Sequence, residues 1–284
     1  MTELSETARR RIVEALVEDI GSGDRTTQWC VPDHMEAEAE IIARAPGVVA
    51  GLSAAACVFE ALEGAELTAR KDDGDGVEPG DRVAHIAGSA RTILTGERTA
   101  LNLLGHLSGV ATLTRRFVDA VAGTGARITD TRKTTPLWRE LERAATRAAG
   151  AVNHRWGLDD MVLIKENHLA GAGGIGEVVR RVTAKNDLGL DVEVETTSLE
   201  EVEAALAAGV DRIMLDNMSA PAMQEAVSLI RERHPHPEIE ASGGVTLATV
   251  RAIAETGVDY ISVGALTHSA PALDLSLRIV RLRA

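Results

Sequence analysis

From residue 126 onward, short apolar runs alternate with helical stretches in one repeating order. Runs at 126–130, 161–164, 191–195, 211–215, 238–241 and 259–263 have strand length, and a further short strand is expected near 150–153. Helical patterns fall near 136–149, 174–186, 198–208, 219–233, 246–256 and 271–282. Repeated βα units make strands parallel, which leaves a doubly wound sheet or a closed barrel. The strand ends favour the barrel. Asp130 with Arg132, Lys165, Glu195, Asp216, Ser242 with Gly243, and Gly264 each follow an apolar run. A barrel gathers such C-terminal strand ends on one rim, where several strands build the chemistry together.

The residues before 126 follow another grammar. Leu4, Ile12, Leu16 and Ile20 give 4–19 an amphipathic helix. Between 36 and 88, short alternating runs separated by Pro46-Gly47, Gly74-Asp75-Gly76 and Pro79-Gly80 predict a mostly antiparallel sheet with one helix over 51–62. A long helical stretch over 89–122, with a possible break near Gly109, leads into the βα region. With only six aromatics in 284 residues, the core must be built from Ala, Val, Ile and Leu, which suits parallel sheet covered by helices.

Composition excludes several classes. A net charge of −13 argues against nucleic acid as a partner, because phosphate backbones need a broad basic surface. No long apolar run predicts a membrane span, and the polar stretch from Met1 to Arg11 does not read as a signal peptide. Cys30 and Cys57 have no metal-type spacing, so two free thiols in a reducing cytoplasm are expected.

Against that acidic background, the stretch from Arg132 to His168 carries seven Lys/Arg against five Asp/Glu. Arg139, Arg143 and Arg147, with Glu140 and Glu142 between them, read as a solvated helix face. Arg132, Lys133, His154, Arg155 and Lys165 do not. They stand at strand ends or beside turns, and together they predict a pocket for a small, multiply anionic substrate. Ser242-Gly243-Gly244 and Val263-Gly264-Ala265 close the last two strands before helices, the place where barrels bind phosphate. His268 lies near the second turn. Glu195 and Asp216 end neighbouring strands, where paired carboxylates beside phosphate suit Mg²⁺ or sugar hydroxyls. His34, His85, His106, His234 and His236 show no pattern.

Two motifs are decoys. Gly171-Ala172-Gly173-Gly174-Ile175-Gly176 satisfies the dinucleotide fingerprint, with Glu195 about twenty residues on. Glu166 to Ala170 intervene after Lys165, too long for a strand that must run straight into the first glycine. The segment 75–83 has the turn–strand pattern of biotinyl and lipoyl carriers, but Lys71 lacks the hairpin-tip context a carrier lysine needs, so a β-rich scaffold is expected.

The chain resembles the quinolinate phosphoribosyltransferase family, also called nicotinate-nucleotide pyrophosphorylase (carboxylating). The resemblance rests on an ordered set of blocks running almost end to end. They are Glu18 to Asp24 with Thr26-Thr27, Gly96 to Asn102, Ser108 to Thr112, Thr131 to Pro136, Asn153-His154-Arg155, Ile164-Lys165, Leu215-Asp216-Asn217, Ser242-Gly243-Gly244 and Val263 to His268. It implies an N-terminal α/β sandwich over 1–108 and an incomplete, about seven-stranded parallel β/α barrel over 109–284, whose C-terminal helix could return to the first domain. It also implies that Arg98, Thr131, Arg132, Lys133, His154 and Arg155 hold quinolinate, Arg98 from the other subunit of a homodimer or higher oligomer. By the same resemblance, Lys133, Lys165, Glu195 and Asp216 are catalytic. Phosphoribosyl pyrophosphate would meet Lys165, Glu195 and Asp216, and its 5′-phosphate would lie at Ser242, Gly243, Gly244, Val263, Gly264, Ala265 and His268. Mg²⁺ would sit at Glu195 and Asp216.

The chain departs from the family pattern in places. Leu137-Trp138 stand where a glycine commonly follows Thr-Thr-Pro, Ala149-Gly150-Ala151 reduce a glycine-rich approach, and Glu166 replaces a common Asp. The expected reaction is decarboxylating phosphoribosyl transfer to quinolinate, giving nicotinate mononucleotide, CO₂ and pyrophosphate in NAD biosynthesis. The alternatives are a paralogue acting on another pyridine or aromatic acid and, more distantly, an NAD-binding oxidoreductase built on 171–176.

Overall fold

The computed structural model describes residues 3–233 and 235–283, so Met1, Thr2, His234 and Ala284 lie outside the described residues. Two compact units emerge, one of Met1–Arg115, Thr134–Gly150 and Ala265–Ala284, the other of Arg116–Lys133 and Ala151–Gly264.

The first unit is built on strands β1 (Glu36–Ala43), β2 (Gly47–Val48), β3 (Ala65–Ala69), β4 (Gly76–Val77) and β5 (Arg82–Ser89). Ala37, Ala39, Ile41 and Ala43 of β1 are buried at every second position, so one face of the sheet enters the core. Helix Glu6–Ile20 starts at Ser5, whose side chain accepts the Ala8 N–H, and buries Ala8, Ile12 and Leu16. Helix Leu52–Leu62 adds Leu52 and Phe59 to the same core. Lys71 is ion-paired with Asp81 at 3.2 Å, a scaffold contact.

Three expectations are corrected in this unit. The stretch 271–282 is not a helix; Leu275–Arg283 forms strand β12, antiparallel to β1, in a sheet ordered β12-β1-β5-β3. Its Leu275, Leu277 and Ile279 pack on the core at a period of two, a strand signature that the open edge of β1 accepts. Helix Ala90–Ala120 runs unbroken through Gly109. A Cβ there would lie 2.1 Å from the Pro271 carbonyl oxygen, so this glycine permits close backbone approach rather than a break. Helix Arg139–Ala148 is not a solvated face throughout, because Glu142 and Arg143 are buried. Glu142 accepts the Thr135 N–H at 3.0 Å and meets His106 Nε2 at 2.8 Å, which supply the donors its burial demands.

The second unit contains β6 (Arg127–Thr129), β7 (Val162–Ile164), β8 (Val192–Thr196), β9 (Arg212–Asp216), β10 (Glu238–Ser242) and β11 (Tyr260–Ser262). They pair in parallel in the order β6-β11-β10-β9-β8-β7, and an isolated parallel bridge joins Thr129 to Val152 beyond β6. Helices Ile175–Thr183, Leu199–Ala208 and Ala220–Arg231 connect successive strands. In a flat sheet the segment after Val152 would be five strand spacings from β8, about 24 Å. Yet His154 Nε2 is 3.3 Å from Glu193 on β8 and 3.3 Å from Glu240 on β10. The sheet is therefore curled into a barrel, left incomplete because no pairing joins β7 to the 152 segment among the described residues.

Candidate active site

Strand alternation sorts the barrel's side chains. Ile213, Leu215, Ile239, Ala241 and Ile261 are fully buried, while the residues between them share the face of Glu193 and Glu240, which is the interior. Rising through that interior, the lowest layer holds Arg127, Arg212 and Tyr260. Both guanidinium groups lie over the Tyr260 ring, at 4.4 and 4.3 Å from its centroid. Arg212 also bridges to Glu238 at 2.6 Å and Glu240 at 3.2 Å.

Above it, His154 sits between Glu193 and Glu240, with its side chain 6% exposed and both glutamates fully buried. Burial opposes a charged imidazole, but the two carboxylates push the His154 pKa up to about 9. Burial, and then the Glu240 charge, push Glu193 upward as well. On the other ring nitrogen, the Arg155 N–H donates to Nδ1 at 2.7 Å, which calls for a lone pair there. The three ligand-type groups lie within 4.8 Å of one another and could also hold a cation.

Lys165, Glu195, Asp216 and Ser242 stand at strand ends of the second unit, as expected. Lys165 Nζ is 2.5 Å from Glu195 Oε2, joining the ends of β7 and β8. Asp216 accepts the Asn217 amide at 2.6 Å, and the Asn217 N–H donates to the Ser242 carbonyl at 2.9 Å. A Cβ on Gly243 (φ 88°) would come within 2.2 Å of Asn217 Oδ1, so only glycine fits beside that turn. Val263 and Gly264 lead straight into the short helix Ala265–His268, whereas 245–249 separate the Ser242-Gly243-Gly244 turn from helix Val250–Ala254. His268 Nδ1 lies 2.6 Å from Ser269 Oγ.

The basic loop is equally defined. Thr131 Oγ1 accepts the Lys133 N–H at 3.1 Å. Buried Asp130 accepts from the His154 N–H at 2.9 Å and the Asn153 amide at 2.5 Å. Arg155 donates to the Met161 carbonyl at 3.0 Å. Burial first, and then the neighbouring Arg132 charge, lower the Arg155 pKa. Arg132 Nε is buried with no hydrogen-bond partner among the described residues. Two crowded guanidinium groups, one with an unsatisfied buried donor, make a site for an anion.

Arg98 is exposed on helix Ala90–Ala120 and, like Ala265 and His268, belongs to the first unit. Glu193, Glu240 and Arg212 were missed as site-supporting residues. Their signal was present in Val-Glu-Val-Glu-Thr at 192–196 and Glu-Ile-Glu-Ala-Ser at 238–242, where charges at every second strand position mark a polar barrel interior. The 171–176 glycines stand apart from the strand end that a dinucleotide fingerprint needs. Helix Glu166–Leu169 intervenes after β7, so the strand does not run into the first glycine.

Comparison with known proteins decides the family. Residues 110–278 match the model of the quinolinate phosphoribosyl transferase C-terminal domain, and residues 24–108 match that of its N-terminal domain. The chain belongs to the quinolinate phosphoribosyltransferase family. It is 48% identical over 94% of its length to a probable nicotinate-nucleotide pyrophosphorylase [carboxylating] of Synechocystis, covering 90% of that protein. It is 43% identical over 95% of its length to the nicotinate-nucleotide pyrophosphorylase [carboxylating] of Mycobacterium leprae, covering 96% of it. Among solved structures, the Francisella tularensis nicotinate-nucleotide pyrophosphorylase superposes with a TM-score of 0.92 at 39% identity, covering 98% of each chain. A quinolinate phosphoribosyltransferase is a pentosyltransferase of NAD biosynthesis, and this chain is one. No described helix is long and apolar enough to cross a membrane.

Proposed function

We propose that the chain transfers phosphoribosyl from phosphoribosyl pyrophosphate to the ring nitrogen of quinolinate and releases CO₂, pyrophosphate and nicotinate mononucleotide. One observation carries the substrate assignment: the Arg132 Nε, buried and unpartnered, stands with a second guanidinium, Arg155, that its charge perturbs. A dicarboxylate on a flat ring supplies the two negative charges that such a pair needs. In this reading Thr131 and Lys133 line the same wall, with His154 buried beneath it. In this reading the site is completed by Arg98 of the partner subunit in a homodimer. Support for an interface comes from Val13 and Val17, exposed one turn apart, and Trp29, 79% exposed. We place the protein in the cytoplasm.

Departure of pyrophosphate leaves positive character on the ribose, and the pyridine nitrogen takes up that bond. Lys133 and Lys165 would hold the leaving diphosphate, while the 242–244 and 263–265 turns and His268 would hold the 5′-phosphate. Glu195 and Asp216 are hard oxygen donors that suit Mg²⁺, whose charge would further stabilise the leaving group. The pyridinium then accepts the electron pair left when the adjacent carboxylate departs as CO₂, and a proton replaces it on that carbon. The chain's own work is positioning and neutralisation. The test is release of labelled CO₂ from carboxyl-labelled quinolinate. Release that requires phosphoribosyl pyrophosphate is expected; no release, or release without it, would sink the reading.

A further inference from the structure

Glu193 and Glu240 lie beneath the rim, and none of the roles above uses them. Both are fully buried, and Glu193 Oε1, Glu193 Oε2 and Glu240 Oε1 have no hydrogen-bond partner among the described residues. Burying two carboxylates is costly, and a pair of buried glutamates facing one another is a poor way to fill a barrel. The group that meets both is the His154 imidazole, 3.3 Å from each through Nε2. Arg212 reaches Glu240 from below at 3.2 Å.

The opposite edge of the ring shows what this seat is for. His154 Nδ1 accepts the Arg155 backbone N–H at 2.7 Å, and Asp130 holds the segment itself by accepting the His154 backbone N–H at 2.9 Å. Nε2 thus faces Glu193 and Glu240, and Nδ1 is occupied by the Arg155 N–H. The Arg155 guanidinium reaches the Met161 carbonyl at 3.0 Å, so both its backbone and its side chain are tied.

We propose that Glu193 and Glu240 are positioning residues that act through His154 to fix Arg155, and that His154 is the link between them rather than a direct ligand. This rests on the reading of Arg155 as a quinolinate carboxylate ligand. The carboxylates set the ring plane, the ring sets the Arg155 N–H, and the guanidinium is held in the direction a carboxylate requires. A loosened guanidinium samples several directions, so the cost falls on quinolinate binding and not on the phosphoribosyl donor.

The test is a double-mutant cycle on the full-length protein, read as quinolinate affinity by calorimetry and as separate KM values for the two substrates. Glu193→Ala with Glu240→Ala should weaken quinolinate by about tenfold, as expected for a disturbed hydrogen bond to a charged group. The KM for phosphoribosyl pyrophosphate should stay within about twofold, and the Glu193→Gln, Glu240→Gln pair, which keeps acceptors for Nε2–H, should recover most of the loss. In an Arg155→Ala background the alanine pair should add nothing further. Should the alanine pair not fold, His154→Gln enters the same cycle with the same expectations. Penalties that multiply with Arg155→Ala, or a folded variant with unchanged quinolinate affinity, would overturn the proposal. A wild-type protein that bound no quinolinate would overturn the proposed function and this inference with it. Normal wild-type binding with a failed cycle would overturn this inference alone.

Discussion

Lys165 and Glu195 face one another from the ends of adjacent parallel strands, with Nζ 2.5 Å from Oε2. The lysine is 46% exposed and the glutamate 16%, so water screens the pair and its share of stability is small. Breaking it by Glu195→Gln should change unfolding free energy by no more than about 1 kcal/mol. The effect belongs on function. Use of phosphoribosyl pyrophosphate and the response to Mg²⁺ should weaken in Glu195→Gln and in Asp216→Asn, with quinolinate binding to free protein nearly intact. Titration calorimetry against each substrate separates the two outcomes.

Arg132→Ala should act on the other substrate. Removing a charged donor from a partly desolvated pocket costs about 2 kcal/mol or more, roughly thirtyfold in quinolinate affinity. Unchanged affinity would place the pocket elsewhere.

The buried cluster makes stability depend on pH. His154 is raised from 6.5 to about 9, so the favourable interaction of its protonated form is fully present below pH 6.5. It is lost as pH rises through about 9, a fall of up to about 3 kcal/mol shared with Glu193. Denaturant titrations from pH 6 to 9.5 should show that decline in the wild type and a flatter profile in His154→Gln.

Leu137 offers a prediction of the opposite sign. It has φ 72° and is 63% exposed, so a branched side chain sits in a left-handed conformation with little packing in return. Leu137→Gly should stabilise the fold by about 0.5–1 kcal/mol, the relief of that strain less the added chain entropy of glycine. A lower melting temperature would contradict it.

Arg98 tests the proposed sharing of sites. Arg98→Ala and Lys165→Ala should each be inactive alone. Heterodimers of the two should regain at most about half of wild-type activity, since two-fold symmetry leaves one site with both residues intact. Subunits shown to exchange by mass spectrometry, yet inactive when mixed, would return Arg98 to its own chain's pocket or to the fold.

The sequence by itself determined the parallel strands and which polar residues stand at their ends. Apolar runs broken by helical patterns admit few topologies, and Lys165, Glu195, Asp216 and Gly243 sit at strand termini, where local order fixes their placement. Residues 275–283 were misread as helix, because their alternation becomes a strand only when the distant edge of β1 is free to pair. The tertiary structure alone decided the burial of Glu142 and Arg143, which helix spacing reads as solvated. It alone decided, too, that His154, Glu193 and Glu240 meet. Those three come from segments up to 86 positions apart, and sequence cannot say which polar residue of a strand faces its neighbour across a closed interior. Curling the sheet brings them to 3.3 Å, and burial then makes the contact consequential.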